Sequence, residues 1–102
     1  MKDWEVIEIT VESEEQLTEM VRAKDFRIAS AIVDGIFANL DTEKENVHLM
    51  SVFVESENYV FDVTIDKEDF AETLEDNLPT YIREELYEEC QAMSDTIKKL
   101  RS

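Results

Sequence analysis

Chemistry in a protein chain needs side chains that move protons, hold metals or attack electrophiles, and here they are few. His48 is the one histidine and Cys90 the one cysteine. From a single imidazole no Ser-His-Asp set can be assembled by spacing. His48 falls in an alternating apolar run, which predicts a structural side chain or a sheet-end residue. Cys90 recurs with Leu86, Met93, Ile97 and Leu100 at alternating steps of four and three, so it reads as a small hydrophobe in a helical seam, not as a nucleophile. Asp41, Glu43 and Glu45 stand at the one-three-five spacing of a calcium loop. Asn46 then occupies the position where glycine makes the turn, and Val52 the position of the bidentate glutamate, so no calcium site is expected. A di-iron helical site wants Glu-x-x-His motifs beside its carboxylates, and the histidine lies far from the acidic run at 84–89. Gly35 is the one glycine, which leaves no glycine-rich phosphate loop. These residues predict no catalytic site, no metal and no cofactor, hence a protein that is not an enzyme.

What the chain has in quantity is carboxylate: 26 acidic against 10 basic side chains, a net charge of −16. Such a surface repels the phosphates of nucleic acid and of anionic membranes. It favours basic partners and fast, salt-sensitive association. Residues 66–89 carry ten acids and two bases, a net of −8 and half of the chain's charge. Glu68, Asp69, Glu72, Glu75 and Asp76, followed by Glu84, Glu85, Glu88 and Glu89, are the expected partner-binding face. Acids three or four apart on a helix lie ~5–6 Å from one another, a spacing suited to the basic cleft of a nucleic-acid-binding protein. The expectation is a protein–protein interaction module, a regulator or inhibitor of a basic protein, and in its sharpest form a phage-type DNA mimic. The plainer reading is a charge that only solubilises. The alternative is a self-associating structural or assembly subunit, a homodimer formed through the seam Leu86, Cys90, Met93, Ile97 and Leu100.

The elements that must position these residues follow from periodicity. At 102 residues one domain spanning 1–102 is expected, of α+β class, in the order β-α-α-β-β-α-α. Its three-stranded, mainly antiparallel sheet packs against helices. Residues 47–66 organise it. Tyr59, Phe61, Val63 and Ile65 alternate with Asp62, Thr64 and Asp66, the period of a half-buried strand. In the preceding strand His48, Met50, Val52 and Val54 share one face, and Val47, Leu49 and Phe53 the other. A strand apolar on both sides sits centrally, with something covering part of its second face. The polar link Glu55-Ser56-Glu57-Asn58 makes a turn in which Asn tolerates left-handed backbone. A third strand is expected over residues 3–12, with Trp4 and Val6 packed at its margin.

Ser13 and Gln16 have the spacing of a capping box, predicting a short helix through Leu17, Met20 and Val21. A second helix runs from Asp25 to about Leu40, its apolar stripe wide enough for burial on two sides. Gly35 within it costs about 1 kcal/mol relative to Ala, which close approach to a neighbouring element would explain. Asp66 is expected to cap a third helix, and Pro79 to end it near Asn77 and start the next. A C-terminal helical hairpin over about 67–101 results. Within residues 74–100, the run Tyr87–Leu100 resembles the second half of a UVR motif, the small helical hairpin of bacterial excision-repair subunits and some Clp-associated proteins. Tyr87, Glu88, Cys90, Met93, Asp95 and Ile97 match it; Gln91, Ser94 and Pro79 depart from it. The resemblance implies a partner-binding hairpin. Cys90 without a mate, no bilayer-length apolar run and no signal pattern in MKDWEVIEITVE predict a cytoplasmic protein.

Overall fold

The computed structural model describes residues 7–102. The first strand, β1 (Glu8–Val11), is the described part of the one expected over 3–12, and the packing expected of Trp4 and Val6 lies outside the described residues. Ser13 caps α1 (Glu14–Arg22), its Oγ accepting from the Gln16 amide at 3.2 Å. Gln16 reaches back to the amide of Glu12 at 2.6 Å, one residue before the cap. The helix closes in a Schellman arrangement, with Asp25 N donating to Met20 O and Lys24 N to Val21 O, and Lys24 at φ 57°. Asp25 then caps α2 (Phe26–Ala38) by accepting from the Arg27 amide at 2.9 Å.

Two strands follow, β2 (Asn46–Val54) and β3 (Tyr59–Asp66), joined by a 3-10 turn at Glu55–Glu57 and by Asn58 at φ 52°. The sheet order is β1-β2-β3, with β2 central as expected. β2 and β3 are antiparallel, whereas β1 runs parallel to β2, so the sheet is mixed. The reason is topological. The helices α1 and α2 form a crossover that returns the chain to the end from which β1 started.

A bulge at Leu49 alters the expected faces of β2. Val47 pairs with Ile65, His48 with Thr64, Met50 with Val63 and Ser51 with Asp62. The extra residue puts His48 on the face opposite Met50, Val52 and Val54, beside Ser51 and Asp62. The other face buries the apolar side chains in two clusters. One joins Val11, Met20, Ile28, Ala31, Met50, Val52 and Val54; the other joins Ala29, Val33, Ile36, Val47 and Leu49 to the C-terminal helices. Ile32 packs against both, which accounts for the wide stripe on α2. The close approach expected at Gly35 is present. A Cβ there would lie 2.9 Å from Leu49 Cδ2, 3.1 Å from its carbonyl oxygen and 3.2 Å from its Cα. The second face of the sheet belongs to neither cluster. Phe53 is half-buried there and Val60 is 52% exposed, so among the described residues the expected cover is missing.

Two expectations at the C-terminal end are corrected. Asp66 does not cap a helix; its carboxylate accepts from Asn46 Nδ2 at 3.0 Å, and a 3-10 turn at Lys67–Asp69 leads into α3 (Phe70–Arg83). That helix runs unbroken through Pro79, which lies on its exposed side, where water can satisfy the carbonyl left without a donor. The break comes later. Leu86 N donates to Tyr81 O and Glu85 N to Ile82 O, with Glu85 at φ 62°, before α4 (Tyr87–Arg101) begins. This is the same Schellman closure as after α1, again without glycine. The hairpin leans on the rest through Phe26 and Tyr81, edge-to-face with centroids 5.2 Å apart, and through Arg83 Nη2, which donates to the Lys24 carbonyl at 2.8 Å.

Candidate functional site

The expected acidic face is divided by the position of the helix break. Glu68 and Asp69 lie in the 3-10 turn, Glu72, Glu75 and Asp76 on α3, Glu84 and Glu85 in the turn after it, and Glu88 and Glu89 in the first turn of α4. Fourteen residues of α3 span about 21 Å, so the first and last groups sit at opposite ends of the hairpin. Glu84 and Glu88 therefore do not share a helix face. The group on α3 is also partly neutralised. Arg101 grips Glu75 through both Nη atoms at 3.1 Å, and this hydrogen bond, then its charge, holds the Glu75 carboxyl below the usual range. Lys98 and Lys99 stand in the same last turn as Arg101.

The apolar seam is consumed inside the molecule. Met93 is 0% exposed and Ile97 8%, both in the cluster with Phe70, Leu74 and Tyr81, and Leu86, Cys90 and Leu100 pack against it. A homodimer through this seam would require the hairpin to open, so the seam is not an association surface of the folded chain.

A different acidic concentration forms where chain segments far apart in sequence converge. The parallel pairing of β1 with β2 ends with Ser56 N donating to the Glu12 carbonyl at 2.9 Å, and Tyr59 Oη donates to Glu14 at 2.6 Å. These bonds hold Glu55 and Glu57 of the turn beside the start of α1. There Glu12, Glu14, Glu15 and Glu19 line a shallow, open cleft with Arg22 at its far end. The Glu14 hydrogen bond raises the Tyr59 hydroxyl above its usual range, with smaller contributions from burial and from the Glu14 and Glu57 charges. The sequence does carry a signal for this end, four acids within residues 12–19. Only the strand pairing links them to Glu55 and Glu57.

On the open sheet face the one histidine does meet a serine and an aspartate. His48 Nε2 is 3.2 Å from Ser51 Oγ and 3.4 Å from Asp62 Oδ1, and Ser51 Oγ donates to Asp62 Oδ1 at 2.9 Å. With the hydroxyl donating to Asp62, Nε2 meets a serine lone pair, the arrangement of an imidazole that donates from Nε2. A nucleophile needs the reverse, an imidazole accepting the hydroxyl proton while its other nitrogen is held by the carboxylate. Ser51 is moreover 7% exposed. The cluster forms a polar clasp across β2 and β3. Among the described residues no group of three or more His, Cys, Asp or Glu side chains is placed to hold a metal, and no helix is long and apolar enough to cross a membrane. No protein-family model, curated protein or solved structure matches the chain.

Proposed function

We propose that the chain is a non-catalytic protein-binding module, a small regulator or inhibitor, that docks a basic partner on the carboxylates around the β2–β3 turn. One observation supports this most directly. Glu12, Glu14, Glu15, Glu19, Glu55 and Glu57 come from segments some forty residues apart and are held at one end by two cross-segment hydrogen bonds. Arg22 is the base beside them in the cleft. Carboxylates fixed on a rigid frame set up a field that steers a basic surface into contact and selects against acidic ones. The likeness of Tyr87–Leu100 to half a UVR hairpin points the same way, towards protein binding. In its sharpest form the partner is a nucleic-acid-binding protein, and the carboxylates occupy the positions of phosphates.

The test is capture from a bacterial lysate on the tagged chain at low and high salt, with mass-spectrometric identification. A stoichiometric basic protein, lost at high salt, displaced by DNA and lost again when Glu12, Glu15, Glu19, Glu55 and Glu57 are all changed to Gln, is the expected result. Recovery of the bait alone, with a dimer mass in light scattering, would instead favour a self-assembling subunit that pairs through a surface other than the α4 seam.

A further inference from the structure

β1 is an edge strand, and its outward side borders a shallow groove that is open to solvent. The Ile7 carbonyl accepts from Ser51 N at 2.8 Å, and Ile9 registers with Val52. In a parallel ladder alternate residues bond to one neighbour, so Ile7, Ile9 and Val11 turn their peptide groups to β2. Glu8 and Thr10 turn theirs outward. Among the described residues no backbone hydrogen bond reaches these outward groups. Alongside them runs an open cleft of about 370 Å³ whose opposite wall is the flank of α2, Arg27, Ser30, Ala31 and Asp34. An edge strand with a helix standing beside it is a receptor for an extended chain. Backbone groups supply affinity, and the gap between strand and helix takes alternate side chains.

The charge of the groove selects the occupant. Arg27 is tied back to Asp25 by hydrogen bonds from Nε and Nη2, both at 3.1 Å, so its cation is already matched. Asp34 and Glu8 form no ion pair among the described residues. Burial pushes the Asp34 carboxyl above its usual range, as expected of a carboxylate lacking a cation. A second copy of this chain is disfavoured. Its own β1 would set Glu8 against like charge, and each copy carries −16.

We propose that the outer edge of β1 and the flank of α2 form a strand-accepting groove for an extended basic segment of a partner protein. Side chains of that segment on the α2 side enter over Ala31 towards Asp34, and the alternate, basic ones lie on the open sheet face beside Glu8. The assignment of a basic partner rests on the function proposed above; the strand geometry does not.

The probe is a capped alternating Lys-Val hexapeptide titrated into the full isotope-labelled chain, with amide shifts and hydrogen exchange as readouts. Shifts centred on Glu8, Thr10, Ala31 and Asp34, with new exchange protection at Glu8 and Thr10, are expected. Thr10→Pro removes an outward donor at an edge position where proline is tolerated, and it should weaken binding at least tenfold. A peptide N-methylated at alternate amides keeps the charge, loses the ladder, and should weaken by a similar factor. That arm stands even where Thr10→Pro fails to fold. Equal binding of the methylated peptide, with shifts centred on Glu12–Glu19 and Glu55–Glu57, would overturn the groove while sparing the basic-partner reading. Exchange protection of Glu8 and Thr10 in the peptide-free monomer would overturn it as well, since the groove would already be filled.

Discussion

Gly35→Ala measures how closely α2 is pressed onto the sheet. At an unconstrained helix interior the change stabilises by about 1 kcal/mol, because alanine loses less backbone entropy than glycine. Here the new methyl would stand 2.9 Å from Leu49 Cδ2, 3.1 Å from the Leu49 carbonyl oxygen and 3.2 Å from Leu49 Cα. Carbon contacts prefer about 3.5–4.0 Å, so each is short by several tenths. Cδ2 ends a flexible side chain and can turn away. The other two atoms are backbone at the bulge of the central strand, between His48 and Met50, which both pair with β3. Overpacking of that kind costs about 1–3 kcal/mol. Set against the gain, the variant should lose about 1 kcal/mol, a fall in Tm of about 4–8 °C for a domain of this size. Thermal and urea unfolding of both forms, with an unchanged m-value, is the assay. Shortening the side chain with Leu49→Val should not rescue the loss, because two of the three contacts are main-chain. A Tm that rises in Gly35→Ala would refute the reasoning and mean that helix and strand stand further apart.

Pro79→Ala should raise stability by about 1–3 kcal/mol, since it restores a helical amide within α3 without touching a buried contact; an unchanged urea midpoint would mean that Pro79 fixes the helix direction. Met93→Ala should cost about 2–5 kcal/mol and leave the oligomeric state unaltered by light scattering. Dissociation of a dimer at wild-type stability would contradict the internal placement of the seam. Burial, then the Asp34, Glu89 and Cys90 charges, push the Tyr81 hydroxyl up from 10 to about 12. The neutral form is favoured in the fold, so this contribution is complete below pH 10 and is lost as pH climbs towards 12, on the order of 2 kcal/mol. Tyrosinate absorbance should show Tyr81 ionising late and together with unfolding, and Tyr81→Phe should flatten that part of the stability profile.

The β2–β3 hairpin was legible because Phe61, Val63 and Ile65 alternate strictly with polar residues, and Ser13, Asp25 and Asn58 stand where their short side chains serve as caps and turn. The bulge at Leu49 was not. A strand apolar on both faces gives no parity signal, and a one-residue insertion leaves the pattern apolar. Pro79 drew attention as the visible breaker, yet the turn falls at Glu85, a left-handed position filled by a residue that does not advertise it. A break at Pro79 would put Glu84 and Glu85 on a helix face, and the turn at Glu85 takes them off it. The sense of the β1–β2 pairing is a property of the crossover and not of β1's own residues. That pairing is what gathers Glu12–Glu19 with Glu55 and Glu57, so the acidic end was invisible for the same reason.

The parallel partnership of β1 also constrains the order of events on the ribosome. β1, α1 and α2 are synthesised before any residue of β2 exists, and residues 12–45 must close as a loop before β1 can be docked. The β2–β3 and α3–α4 hairpins need only short-range contacts and can form quickly. Of the three strands, β1 therefore waits across the longest intervening segment for its partner. Until then the apolar stripe of α2 is nascent and uncovered, and the acids of residues 12–19 travel beside it, charges that discourage neighbouring nascent chains from joining there.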